Sequence, residues 1–307
     1  MIFVGESVII FLWGAEHNSL KKWRMIMKQK IKICTNSNEI QWLYSQDWEY
    51  YDYGDCKRHL QIIFPFKPEM KSYEIYPLIL FIPGSAWHKQ EMYNDIPQYA
   101  TLAKRGYVVA VMEYRESDIA TFPAQIDDVY NALNFIPTIA DNFHIDTNNI
   151  FLMGNSSGGH IAMMSALFNA HGLCKALPKI SGIISESGST DLLICAKEPL
   201  PPWMKVRPSA VLLGVEKIEG NEELAKKASC GMYITENIQL PPVLLIHSEY
   251  DPIVSVENSR TLYEKLTDTK HEVYYYELEE NNSHGGAAYY DSKVLDIIQE
   301  FCGKYSA

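Results

Sequence analysis

From about residue 60 onward the sequence alternates apolar, β-prone runs with helical stretches, and this rhythm limits the possible folds more than any other feature. Gln61–Phe66, Pro77–Ile82, Tyr107–Met112, Asn149–Met153, Ile180–Ser185, Val243–His247 and Glu272–Leu278 read as strands. Most are continuous apolar runs rather than alternating ones, the pattern of strands covered on both faces of a parallel sheet. Between them lie helical patterns. The clearest begins near Phe122, with Ile126, Val129, Leu133 and Ile136 at helical spacing and Asp127 and Asp128 in its first turns. Ser157–Phe168, Val256–Leu266 and Tyr289–Phe301 read likewise. Strands alternating with helices imply an α/β fold with a doubly wound, mostly parallel sheet and helices on both faces. One stretch breaks the rhythm. Between Ser187 and Pro241 there is no strand signal, Pro199, Pro201, Pro202 and Pro208 crowd one half, and Asn221–Ala228 looks helical. An insertion of this length, about 188–240, is a functional lid or binding loop in some chains and a plain surface excursion in others; both readings stand.

Length and composition narrow the class. A chain of 307 residues with 47% hydrophobic and 21% charged residues has ample material for a large core, here expected as one domain with an insertion over residues 60–307. The first 59 residues read as an extension of uncertain structure. Val8–Gly14 is an apolar run too short to span a membrane, and Glu6 rather than a basic residue precedes it, against the pattern of a secretory signal. Residues before about Met25 read as peripheral, or translation starts naturally at Met25 or Met27. A net charge of −11 argues against a nucleic-acid partner, whose phosphates need a basic surface, and no segment calls for a membrane. The six cysteines, Cys34, Cys56, Cys174, Cys195, Cys230 and Cys302, form no Cys-x-x-Cys pair. They read as buried free thiols, which fits a cytoplasmic protein with neither metal nor cofactor. An even number leaves disulfides, and with them secretion, open.

Chemistry concentrates in a few places. Gly154-Asn155-Ser156-Ser157-Gly158 matches G-x-S-x-G. The pattern alone recurs by chance, and a glycine-rich turn with an incidental serine is its plain alternative. Its setting gives it weight, because it follows the strand Asn149–Met153 and opens the small-residue helix Gly158-Gly159-His160-Ile161-Ala162. A nucleophile elbow needs that strand–turn–helix context: the turn forces the serine into strained backbone angles, and flanking glycines remove side chains that would collide. The helix start also aims free N–H groups and a positive dipole end at the serine. A serine hydroxyl is a poor nucleophile without a base, and the base needs an orienting acid. His284, in the polar loop Asn282-Ser283-His284-Gly285-Gly286 after a strand, sits where the base belongs, and Asp251, just after Val243–His247, where the acid belongs. Glu249 is a second candidate for the acid. His160 on the elbow helix and His247 at a strand end read as structural. Oxyanion donors are expected from the Ser157 N–H and from Gly84 and Ser85 in the loop Pro83-Gly84-Ser85-Ala86-Trp87. Trp87 and Trp203 are candidates for the substrate pocket.

With these residues the chain resembles the α/β-hydrolase esterases related to hormone-sensitive lipase, and most of all their bacterial feruloyl-esterase-like branch. The resemblance covers roughly residues 60 to 302. Its landmarks are Pro83 to Trp87 against the family's His-Gly-Gly-x-Trp, Tyr114-Arg115, Phe122-Pro123-Ala124-Gln125 with Asp128, Gly154 to His160, Pro241-Pro242-Val243 leading to Asp251, and His284. It implies a triad of Ser156, Asp251 and His284, no cofactor, and short-chain acyl esters, often acetyl or feruloyl groups on carbohydrates. The chain departs from the pattern where Pro83 replaces the loop histidine, Ser85 a glycine, and His247-Ser248-Glu249 the usual His-Gly-Asp. Such changes spare backbone donors but alter pocket shape and acyl preference.

The expectation is a serine carboxylesterase working through an acyl-enzyme on a small-molecule or carbohydrate ester. A prolyl-oligopeptidase-type peptidase shares the elbow and triad order, but this chain has no room for the large accessory domain those enzymes usually carry. A binding protein on the same fold is the alternative of another class. Such proteins typically lose the serine or the histidine, both of which are present here.

Overall fold

In the computed structural model, residues 33–34, 39–71, 73–200 and 205–306 are described. In chain order come β1 (Gln41–Asp52), β2 (Lys57–Phe66), β3 (Tyr76–Ile82), α1 (Ile96–Lys104), β4 (Val108–Met112), α2 (Ala124–Phe143), β5 (Ile145–Asn155), α3 (Ser157–Ala170) and β6 (Gly182–Glu186). Then follow α4 (Leu192–Lys197), α5 (Pro208–Leu212), α6 (Glu222–Lys227), β7 (Val243–Ser248), α7 (Glu257–Asp268), β8 (Val273–Leu278) and α8 (Ser292–Tyr305). The strands form one eight-stranded sheet in the order β1-β2-β4-β3-β5-β6-β7-β8. β3 to β8 run parallel, while β2 is antiparallel to both β1 and β4. This is the α/β-hydrolase fold.

Every strand predicted from an apolar run is present, and the reason shows in β3 and β4. Leu78, Leu80 and Ile82 of β3, with Val108, Ala110 and Met112 of β4, enter one core; Ile79 and Phe81, with Val109 and Val111, enter the other. A strand with both faces covered has no polar side, so it reads as a continuous run. The first core packs under α2, α3 and α7, and the second under α1 and α8. Each fully buried aliphatic side chain contributes about 1.5–3 kcal/mol.

The boundary expected at residue 59 is too late. β1 belongs to the sheet, with Leu43 opposite Phe64 and Trp48 opposite Leu60. It escaped notice because it is an edge strand, exposed along most of its length and broken by irregular register after Ser45 and Glu49, so its sequence carries little apolar signal. Its anchor is aromatic: the Trp48 ring meets Phe143 of α2 edge-on at 5.2 Å. α1 was also missed. The insertion holds α4, α5, α6 and a 3₁₀ turn at Cys230–Met232, with no strand among its described residues. It is not a loose flap. Leu192, Ala210, Leu212, Ala225, Ala228 and Cys230 are all buried in the first core, beside α2 and α3.

Of the six free cysteines, Cys195, Cys230 and Cys302 are buried as expected; Cys56 and Cys174 are half-buried and Cys34 is exposed. Among the described residues no helix is long and apolar enough to cross a membrane, and no cluster of three or more His, Cys, Asp or Glu could hold a metal ion. The segment Val8–Gly14, the possible starts at Met25 and Met27, and Trp203 lie outside the described residues.

Candidate active site

The parallel strands β5, β7 and β8 end on the same side of the sheet, and each is followed by one of the three candidate catalytic residues. Ser156 joins β5 to α3 with φ 54° and ψ −124°, a conformation that costs a non-glycine residue on the order of 1–3 kcal/mol. Its neighbours leave no alternative. A Cβ on Gly158 would lie 1.8 Å from the Ile82 carbonyl oxygen, and one on Gly154 would lie 2.5 Å from the Gly158 backbone. The turn is laced to the end of β6: the Ser156 N–H donates to Glu186 O at 2.8 Å, and the Ser189 N–H to Ser156 O at 3.2 Å.

Asp251 and His284 meet. His284 Nδ1 lies 2.8 Å from Asp251 Oδ2, and the aspartate side chain is fully buried. Asp251 Oδ1 accepts the N–H groups of Ile253 and Val254, both at 2.9 Å. His247 stands 3.5 Å from Oδ2 through Nε2, which also donates to Val254 O at 3.0 Å, while its Nδ1 pairs with Ser259 Oγ at 2.7 Å. Burial opposes the charge on Asp251. The histidines on either side and the backbone donors outweigh it and hold the carboxyl well below the usual carboxylate range. An ionised carboxylate only accepts, so His284 Nδ1 carries the proton and Nε2 is left as the basic nitrogen. Among the described residues Nε2 has no protein partner, and no hydrogen bond joins it to Ser156. The alternative acid, Glu249, does not reach the imidazole; its carboxylate accepts the Glu280 N–H at 2.9 Å. His247, expected to be merely structural, helps to hold the acid.

The expected oxyanion donors need correction. The Gly84 N–H donates to Asn155 Oδ1 at 2.7 Å, and the Ser85 N–H donates to Ser157 Oγ at 2.9 Å, so both amides are already committed. The next residues, Ala86 and Trp87, take positive φ values of 53° and 59° and line a cleft together with Ser156. Among the described residues their N–H groups, like that of Ser157, have no protein acceptor. Sequence spacing pointed two residues too early, because it could not show that neighbouring side chains occupy the first two donors. Tyr114 and Asn155 hold this loop. The buried Tyr114 hydroxyl donates to Pro83 O at 3.1 Å and lies 2.9 Å from Ser85 Oγ and 3.2 Å from Ser157 Oγ.

Trp87 is a strut as well as a wall. It is buried, and its Nε1–H donates to His160 Nδ1 at 3.1 Å. Because indole only donates, His160 carries its proton on Nε2 and donates it to Ala228 O at 2.7 Å. Burial pushes the His160 imidazole down to about 4, in keeping with a neutral ring. One histidine thus ties the loop beside Ser156 to the insertion. The insertion supplies the other wall of the cleft, with Cys195, Glu198, Leu200 and Arg207. The cleft holds about 540 Å³ of empty space, part of it open to solvent.

The BD-FAE family model matches residues 63–266. The chain is 27% identical over 197 residues to esterase LipC of Mycobacterium tuberculosis, covering 62% of this chain and 48% of LipC. To the probable carboxylic ester hydrolase LipM of the same organism it is 25% identical over 239 residues, or 76% of this chain and 54% of LipM. The chain therefore spans about half the length of these curated relatives. Among solved structures, a truncated carbohydrate esterase from gut microbiota matches with a TM-score of 0.73 at 22% identity, over 88% of this chain and 98% of that one. Esterase B from Lactobacillus rhamnosis matches with a TM-score of 0.70 at 15% identity, over 94% and 90%. Likeness at such identities attests the fold alone. The family match takes in well over half of the sequence, from β2 through the elbow and Asp251 into α7, and the chain belongs to the BD-FAE family.

Proposed function

We propose that this protein is a serine carboxylesterase that hydrolyses short-chain acyl esters through an acyl-enzyme. The observation that carries the reading is the buried Asp251 held 2.8 Å from His284 Nδ1, at the same end of the sheet as a serine on a strained elbow. In this reading His284 Nε2 takes the Ser156 proton as Oγ attacks the ester carbonyl, and the imidazolium that forms is stabilised by Asp251. The tetrahedral oxyanion accepts from the Ser157 N–H and from the uncommitted amides of Ala86 and Trp87. The imidazolium then returns its proton to the leaving alcohol, and a water activated by the same nitrogen releases the acid. The alcohol is a small molecule or a carbohydrate, the latter because a carbohydrate esterase from gut microbiota shares the fold, and acetyl and feruloyl groups are the acyl groups to try first.

Hydrolysis of p-nitrophenyl acetate tests the reading, with Ser156→Ala as the control. The variant should lose on the order of 10⁴- to 10⁶-fold in kcat. Equal rates in the two proteins would end the serine mechanism.

A further inference from the structure

Among the described residues lining the cleft beside Ser156, Arg207 is the one cation and Glu198 the one carboxylate. They do not pair. Arg207 Nη1 donates to Cys195 O at 2.8 Å and Nη2 to Glu198 O at 3.0 Å, both backbone carbonyls at the C-terminal end of α4. The Glu198 carboxylate turns instead to the start of α7, where Oε1 accepts the Ser255 N–H at 2.7 Å and lies 3.4 Å from Asn258 Nδ2. A guanidinium carries five N–H donors in a planar fork, so two bonds to neutral carbonyls leave three donors without a partner among the described residues, and the Glu198 carboxylate offsets the charge without a direct bond to it. Arg207 is half-buried, so water meets this demand only in part. A carboxylate fits such a fork with two parallel bonds, which neutral ester groups cannot supply.

We propose that the cleft is built for esters bearing a carboxylate, which Arg207 binds while the ester carbonyl is presented to Ser156. The inference rests on the esterase reading above and names its substrate class. The molecule's charge of −11 disfavours anions at long range, so the preference is local to this fork.

Two substrate pairs test it by pH-stat titration at pH 7. Monomethyl glutarate is compared with methyl pentanoate, which puts the charge on the acyl side. 3-Acetoxypropanoate is compared with butyl acetate, which puts it on the alcohol side. In the wild type the kcat/KM ratio of charged to neutral ester should favour the charged member of one pair by about 10- to 100-fold, mostly through KM. Arg207→Met should collapse that ratio and Arg207→Lys should keep part of it. The ratio cancels any general loss from loosening α4, so a purely structural arginine would leave it unchanged. Binding of the monomethylamide of glutaric acid, followed by NMR titration, is read alongside without turnover.

Hydrolysis of neutral esters with no charge preference, or a preference indifferent to Arg207→Met, overturns the inference and leaves the esterase reading standing. Arg207-dependent binding of the amide without hydrolysis of any ester supports the carboxylate site and overturns the esterase reading. Neither binding nor hydrolysis overturns both.

Discussion

Replacing Glu186 by glutamine isolates a single buried titration. Glu186 ends β6, in register with Asn155 on one side and Ile246 on the other, and is 2% exposed. Among the described residues its carboxylate has no ion pair, and Oε1 has no hydrogen-bond partner. Burial alone pushes the carboxyl up to about 8. Below about pH 4.3 it is protonated in both the folded and the unfolded chain and adds no pH dependence. Between about 4.3 and 8 the unfolded chain has released the proton while the folded chain still holds it. Stability therefore falls by about 1.4 kcal/mol per pH unit, roughly 5 kcal/mol across the window. Above 8 both states are ionised and the slope ends. Glutamine removes this titration and adds a pH-independent cost of about 1–3 kcal/mol for amide donors without partners. Urea unfolding followed by tryptophan fluorescence at pH 5, 6, 7 and 8 reads the difference. The variant should gain on the wild type by about 1.4 kcal/mol per unit and overtake it toward neutral pH. Parallel curves would refute the argument, because they would mean that Glu186 is already ionised in the fold.

Three further substitutions probe the site. Asp251→Asn should lower kcat for p-nitrophenyl acetate on the order of 10⁴-fold, as loss of an orienting carboxylate does in other triads, while Glu249→Gln should stay within a few fold of wild type. The reverse result would reassign the acid. His160→Leu strips the buried Trp87 N–H and Ala228 carbonyl of their partners and should cost roughly 2–5 kcal/mol in urea unfolding at pH 7. It should also flatten the acid side of the stability curve. Wild-type His160 titrates at about 4 folded against about 6.5 unfolded, so stability present above 6.5 is lost as pH falls toward 4. An unchanged acid slope would mean that His160 is charged in the fold.

Much of this was legible in the residues, for identifiable reasons. Strands covered on both faces announce themselves as apolar runs, and G-x-S-x-G between a strand and a helix constrains its own backbone. What could not be read depended on contacts between distant segments. β1 carries its strand character in pairing rather than in apolar content. Nothing in the loop Pro83–Trp87 says that Asn155 and Ser157, about seventy residues on, consume its first two amides. Asp251 is the preferred acid by position with Glu249 close behind, and the turn that places the Asp251 carboxylate on His284 separates them. Arg207 cannot be singled out from the residues alone, because an arginine beside prolines in a weakly patterned stretch has no local signature of the cleft it faces.

The insertion's share in the first core bears on how specificity can be redesigned. Its buried side chains fill the same layer as those of α2 and α3, so exchanging the whole segment for a relative's would leave a hole or a clash in the scaffold. The His160 link to Ala228 sets a second boundary, because a graft without a carbonyl at that point would slacken the wall formed by Trp87. A chimera is thus a poor route to a new substrate. The exchangeable part is the rim at Pro199 and Leu200, where single substitutions face the cleft and the packing beneath can remain as it is.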